Sequence, residues 1–189
     1  MQNFIDHSIQ NGVTLLDKGK CQCCGADYEG GIFECMKNFN NGLDLLDAND
    51  STYHTPKFLR VDAHALQHPE IHGRWNNHFH LTRLHLILDQ KVIWDYTKSP
   101  LLNNFLNVYK QSNPDEKFAP PQPQKRGSIT LKDLSNAKTA AECVLRINQW
   151  ADEVYQSWSP QHAVVSQIAR DFLETGKVYK SNAYNITNR

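Results

Sequence analysis

The stretch Lys57-Phe58-Leu59-Arg60-Val61-Asp62-Ala63-His64-Ala65-Leu66-Gln67-His68-Pro69 holds the pattern from which the rest of the chain can be read. Phe58, Val61, Ala65 and His68 recur at helical spacing, and Pro69 stops the run. Residues 57–68 therefore read as an amphipathic helix with a histidine on its apolar stripe. His64 and His68 are four apart and share a face. An imidazole on a buried stripe must hydrogen-bond, titrate or bind a metal.

The same period extends outward in both directions. Toward the C-terminus, residues 77–90 put Leu81, Leu84, Ile87 and Leu88 on a buried side, with His80 on that inner face. Ser99-Pro100 reads as an N-cap followed by a proline, opening a helix to about Gln111. Residues 113–127, with Pro114, Pro120, Pro121 and Pro123, form a long connection. Thr139 with Glu142 is a capping box ahead of Val144, Ile147, Ala151, Val154 and Trp158. Ser159-Pro160 opens a last helix carrying Val165, Ile168, Ala169, Phe172 and Leu173, with its end expected at Gly176 and a polar tail over 177–189. Toward the N-terminus, residues 32–46 carry the stripe Ile32, Cys35, Met36, Phe39, Leu43 and Leu46. Residues 19–31 are a loop rich in Cys and Gly, and Phe4, Ile5 and Ile9 mark a short first helix that turns at Asn11-Gly12. The expected fold is mainly α, a single-domain helical bundle over 1–189 of six or seven helices with an N-terminal cysteine-knuckle loop. The segment beyond residue 127 is too short to be comfortable as a domain of its own.

The 189 residues balance 20 Lys plus Arg against 20 Asp plus Glu, a formal charge of zero. That excludes the basic footprint of a non-specific nucleic-acid binder or a polybasic membrane-surface protein. No apolar run approaches the roughly 18–20 residues of a membrane helix. The first residues lack the basic and apolar regions of a secretory signal, so the expected compartment is the cytoplasm. Five Cys is an odd number, and reduced cysteines there serve more often as metal ligands or buried apolar residues than as disulfides. The partner, protein or small molecule, stays open.

The densest chemistry is Cys21-Gln22-Cys23-Cys24-Gly25-Ala26. Two residues between Cys21 and Cys24 let both thiolates face one tetrahedral ion, and Gly25 supplies a turn conformation that other residues reach at a cost. The C-x-x-C of redox proteins opens a helix after a buried strand, a setting this sequence does not predict. Cys23 is expected to face away from the pair. Cys35, near the start of its helix, reads equally as a further ligand or as a small buried residue. Cys143 reads as core or surface.

His68, His80 and His162, from three helices, all take inner positions. His7, His54, His72, His78 and His85 lack that alignment and read as surface or loop residues. Two metal arrangements follow. In one, Cys21, Cys24 and Cys35 with one histidine, most naturally His68, hold a structural zinc. In the other, His68, His80 and His162 hold a metal with an open position, as a metal-dependent hydrolase or transferase would require. Asp62, about two turns before His68, reads as a helix-surface or capping residue, or as a group orienting a ligand. A metal-free helical protein with buried histidines is the third possibility.

The blocks Cys21-x-x-Cys24-Gly25-Ala26, Cys35-x-x-x-Phe39-x-x-x-Leu43, Val61-Asp62-Ala63-His64-Ala65-Leu66-Gln67-His68-Pro69, His80-Leu81, and Trp150-Ala151 to Trp158 with His162 resemble an uncharacterised bacterial group, domain-of-unknown-function family 5946. His64 stands where that family usually has Tyr, and Cys23 is an additional cysteine. The resemblance implies no reaction. It supports the positions of Cys21, Cys24, Cys35, His68, His80 and His162.

Overall fold

The computed structural model describes the backbone of residues 2–42, 45–47 and 49–186 and the side chains of residues 3–42, 45–47 and 49–175. The architecture is mainly α, with no strands among the described residues. The helices are α1 (Gln2–Gln10), α2 (Gly31–Asn40), α3 (His54–Gln67), α4 (Arg74–Leu88), α5 (Lys98–Ser112), α6 (Leu131–Leu134), α7 (Ala140–Ser157) and α8 (His162–Ile186).

α3 begins earlier than its apolar stripe suggests. Asp50 accepts the Thr52 N–H at 2.8 Å and caps a 3-10 turn that runs straight into it. It ends where Pro69 requires, passing through His68 into a second 3-10 turn at Pro69–Ile71. Its two faces pack against α4 and α7, and the Trp158 indole N–H, just beyond α7, donates to the Leu66 carbonyl at 3.3 Å.

α4 departs from the expected two-faced helix. Every residue from Leu81 to Ile87 is buried, because α3, α5, α7 and α8 enclose it. A helix covered on all sides needs no polar face, and its polar side chains must then find partners inside. His78 lies 3.0 Å from Glu116 and stacks on Phe118, while His85 meets the Tyr155 hydroxyl at 2.7 Å. These two histidines are therefore interior groups, not the surface residues their spacing suggested.

Other boundaries also differ. α5 starts at Lys98, since Asp95 accepts the Thr97 N–H at 2.9 Å, and Ser99 does not cap it. α6 is a single turn closed by a Thr130–Asp133 capping box. α7 opens as expected, with Thr139 accepting the Glu142 N–H at 3.2 Å. α2 stops at Asn40, short of the expected end at 46. α8 runs past the end expected at Gly176, and the tail expected over 177–189 lies outside the residues whose side chains are described. No helix among the described residues is long and apolar enough to cross a membrane.

One apolar core runs from Leu46 through Leu66, Leu84 and Trp150 to Phe172. A smaller one, built from Cys21, Cys23, Ala26, Tyr28, Ile32, Cys35 and Ile71, sits under the knuckle. This second core positions the site.

Candidate metal centre

The knuckle is set by its own backbone. The Gly25 N–H donates to the Cys21 carbonyl and the Cys21 N–H to the Ala26 carbonyl, both at 2.8 Å. Gly25 takes the left-handed φ of 76° that closes this turn. α2 then rises from Gly31, also left-handed at φ 56°, where a Cβ would collide with the Leu16 carbonyl oxygen. Only glycine lets the loop pass so close to the helix start, and that approach fixes where Cys35, one turn on, arrives.

Cys21 and Cys24 from the knuckle, Cys35 from α2 and His68 at the end of α3 bring one donor atom each within 4.8 Å of one another. Cys21 Sγ to His68 Nε2 is 3.4 Å, Cys35 Sγ to His68 Nε2 is 3.5 Å, and Cys24 Sγ to Cys35 Sγ is 3.9 Å. Tetrahedral zinc, with Zn–S near 2.3 Å and Zn–N near 2.0–2.1 Å, requires about 3.8 Å between two sulfurs and about 3.6 Å between sulfur and nitrogen. These three separations fit that requirement.

The histidine is aimed for the task. His68 Nδ1–H donates to the His64 carbonyl at 2.6 Å, which leaves the Nε2 lone pair toward the sulfurs. The His64 ring lies between Phe39 and His68, stacked on each at 3.9 and 4.0 Å between centroids, and holds the ligand imidazole in plane. His64 thus supports the site through its carbonyl and its ring.

The electrostatics point the same way. Hydrogen bonds from Cys23, Cys24 and Cys35 push the Cys21 thiol down. Hydrogen bonds to Cys21 and Cys24, then burial, push Cys35 up, and the bond to Cys21 with burial pushes Cys23 up. Burial alone would lower His68, but its interactions with Cys24 and Cys21 outweigh it and push it up to about 10. A metal ion held there would compete with protons for these same sulfur and nitrogen atoms.

The remaining sequence candidates stand elsewhere. His80 on α4 gives its Nδ1–H to Asp62 at 2.7 Å. His162 gives Nε2–H to the Tyr155 carbonyl at 2.9 Å and stacks on the Tyr155 ring. Neither joins the cluster of Cys21, Cys24, Cys35 and His68. Cys23 is buried beside Cys21, and Cys143 is buried in the main core. Asp62 is no surface or capping residue. It is fully buried and forks onto Arg83 of α4, with Nε at 2.9 Å and Nη2 at 2.5 Å. A second interior cation, Arg126, forks onto Glu70 at 2.9 and 2.6 Å and ties the loop after residue 113 to the turn that follows His68. The only sequence signal for Asp62 and Arg83 is a charged residue amid apolar neighbours, and Arg126, between Lys125 and Gly127, lacks even that.

No curated protein and no solved structure matches the chain. One family model does, over residues 19–159, a span that takes in the knuckle, Cys35, the α3 and α4 histidines, Trp150 and Trp158. With that coverage, the chain belongs to the family of unknown function DUF5946.

Proposed function

We propose that this protein binds one zinc ion through Cys21, Cys24, Cys35 and His68, and that the ion is structural. The observation that carries this reading is the set of donor separations at 3.4, 3.5 and 3.9 Å, converging from three separate chain segments. Three thiolates favour a soft or borderline ion over magnesium or calcium. Four protein donors leave no open position for water or substrate, which is the mark of a structural site. The ion would tie the loop over 19–31 to the end of α3, and the protein would act through its surface as a binding or scaffold module. Reduced thiolate ligands suit the cytoplasm.

The alternative, a hydrolase or transferase built on His68, His80 and His162, needs three imidazoles to converge. Neither His80 nor His162 falls in the donor cluster that contains His68.

Metal analysis of protein purified without chelator tests the proposal. The expected result is about one zinc per chain, with metal content and thermal stability falling together in Cys21→Ser. Metal-free native protein of equal stability would overturn it.

A further inference from the structure

The five cysteines are not equally reachable. Cys21, Cys23, Cys35 and Cys143 are buried, and Cys24 alone of the five is partly exposed. Within the cluster the same difference shows as depth. Cys21 Sγ and Cys35 Sγ both touch His68 Nε2, at 3.4 and 3.5 Å, and Cys35 Sγ also comes within 3.9 Å of His64 Nε2. Cys24 Sγ meets Cys35 Sγ at 3.9 Å. Cys24 is therefore the outward corner of the donor set, the one a solvent-borne oxidant meets first.

A cysteine thiolate reacts with a hydroperoxide where the two can meet, and the sulfenic acid that forms condenses with a thiolate close by. Cys35 is that neighbour. The two Sγ atoms have to close by about 2 Å to reach the roughly 2.05 Å of a disulfide. Room for the movement lies on the Cys24 side. Gly25 follows it in an exposed turn, and beyond its chain neighbours no atom of the described residues lies within 4 Å of where a Gly25 Cβ would stand. Cys21 is the other neighbour, but the knuckle holds it by its N–H to the Ala26 carbonyl and by its carbonyl to the Gly25 N–H, both at 2.8 Å. A Cys21–Cys24 bond would draw the two ends of that turn together, whereas a Cys24–Cys35 bond leaves the turn standing.

We propose that Cys24 is an oxidative-modification site with Cys35 as its resolving partner, and that hydrogen peroxide acts there to eject the metal ion. The ejection rests on the zinc reading above; the disulfide does not. The Cys24 thiolate attacks one peroxide oxygen, the O–O bond breaks, and hydroxide leaves to give the Cys24 sulfenic acid. The Cys35 thiolate then attacks the Cys24 sulfur, the S–O bond breaks, and a second hydroxide leaves. Two thiolates lose two electrons in all, and the peroxide is reduced to two hydroxides, water once protonated. The ion is left with only Cys21 and His68 of its four donors and departs. α2 stays stapled to the knuckle through Cys35, while the end of α3 loses its tie.

The test uses full-length protein purified without chelator, its metal content measured first. The protein is treated with hydrogen peroxide beside a chromogenic zinc chelator, quenched with catalase and an alkylating agent, and digested without reduction for mass spectrometry. The expected result is a cross-linked Cys24–Cys35 peptide pair, with about one zinc released per disulfide. Cys21, Cys23 and Cys143 should be recovered as alkylated thiols, and dithiothreitol with zinc should restore the metal. Cys23→Ser keeps every donor and should give the same peptide pair at the same rate. A main product that joins Cys21 to Cys24 or involves Cys23, oxidation that ends in sulfonic acid without a disulfide, or cysteines that all stay reduced would overturn the site. A Cys24–Cys35 disulfide that forms while the zinc stays bound would overturn the ejection. Protein that holds no metal as purified refutes the zinc reading and with it the ejection, and the peptide pair still decides the disulfide.

Discussion

His68 Nδ1 sits 2.6 Å from the carbonyl oxygen of His64, one helical turn earlier on the same helix. A helix end normally leaves its last carbonyls unsatisfied. Here one of them fixes the tautomer of a metal-ligand candidate, so the end of α3 is at once a helix terminus and the support of the site. Truncating His64 keeps that carbonyl and removes only the ring stacked between Phe39 and His68, so it should weaken the metal without abolishing it. His64→Ala is expected to retain the metal with affinity lower by roughly 10–100-fold, the usual loss when a supporting contact of a ligand is removed. Competition with a chromogenic chelator measures it, and unchanged affinity would show that the Phe39–His64–His68 stack is irrelevant to the metal.

Ligand and neighbour histidines should separate cleanly. His68→Ala is expected to release the metal and unfold the second core. His80→Ala and His162→Ala should keep the metal and lose only roughly 1–3 kcal/mol, as ordinary interior changes do. Metal content paired with urea unfolding for each variant decides the matter. Loss of metal in all three would restore the open three-histidine site.

Asp62 should be more costly to remove than any histidine that contacts it. Asp62→Ala would leave the Arg83 guanidinium, buried with it, without a counter-charge, and breaking such a pair costs about 3–5 kcal/mol. Arg83 rests over the Phe58 and Phe79 rings at 4.7 and 4.8 Å, and that packing would soften but not cancel the loss. Chemical denaturation of the metal-loaded protein is the measurement, and a change of a few tenths of a kcal/mol would contradict the buried pair.

Acid should weaken the fold before the carboxylates protonate. Burial, with the nearby charges of His80, His68 and His7, pushes His72 down to about 3. Burial also lowers His85. An unfolded histidine titrates near 6.5, so between that value and about 3 the unfolded chain binds more protons than the native one. Stability is then expected to fall as pH drops from about 6.5. His72→Gln should flatten part of that slope. A wild-type stability curve flat from pH 7 to 4.5 would contradict the assignment.

The connection over 113–127 should not behave as a hinge between independent units. Glu116 holds His78, Phe118 stacks on it, and Arg126 is locked to Glu70. Limited proteolysis there is expected to give two fragments that stay associated and melt in one transition. Two fragments that separate and fold alone would refute the single domain read over 1–189.

The parts of this molecule that were legible in the sequence are those whose signals are local. The stops at Pro69, the cap at Thr139 and the stripe through Ile32 and Cys35 depend on residues within a turn or two. The Cys21/Cys24 spacing is of the same kind. α4 departs from its amphipathic pattern because that pattern assumes that polar residues face water. Its Arg83 finds Asp62 twenty-one positions earlier, and its His85 finds Tyr155 seventy positions later, partners that no local window contains. Ser99 failed for a related reason. Its oxygen accepts from Arg83, sixteen positions earlier on another helix, and from the Trp94 indole, instead of capping the helix start beside it.

Gly31 adds a consequence for how this site can be lost. Its left-handed backbone and the Leu16 carbonyl pressed against it leave no room for even one methyl group. Any side chain there must push α2 outward, and Cys35 travels with it. A residue that donates nothing to the site, has no polar side chain and would pass as a neutral spacer is therefore as sensitive to substitution as a ligand. A tolerance map of this protein should show a sharp dark band at Gly31, as intolerant as the cysteines, produced by crowding alone.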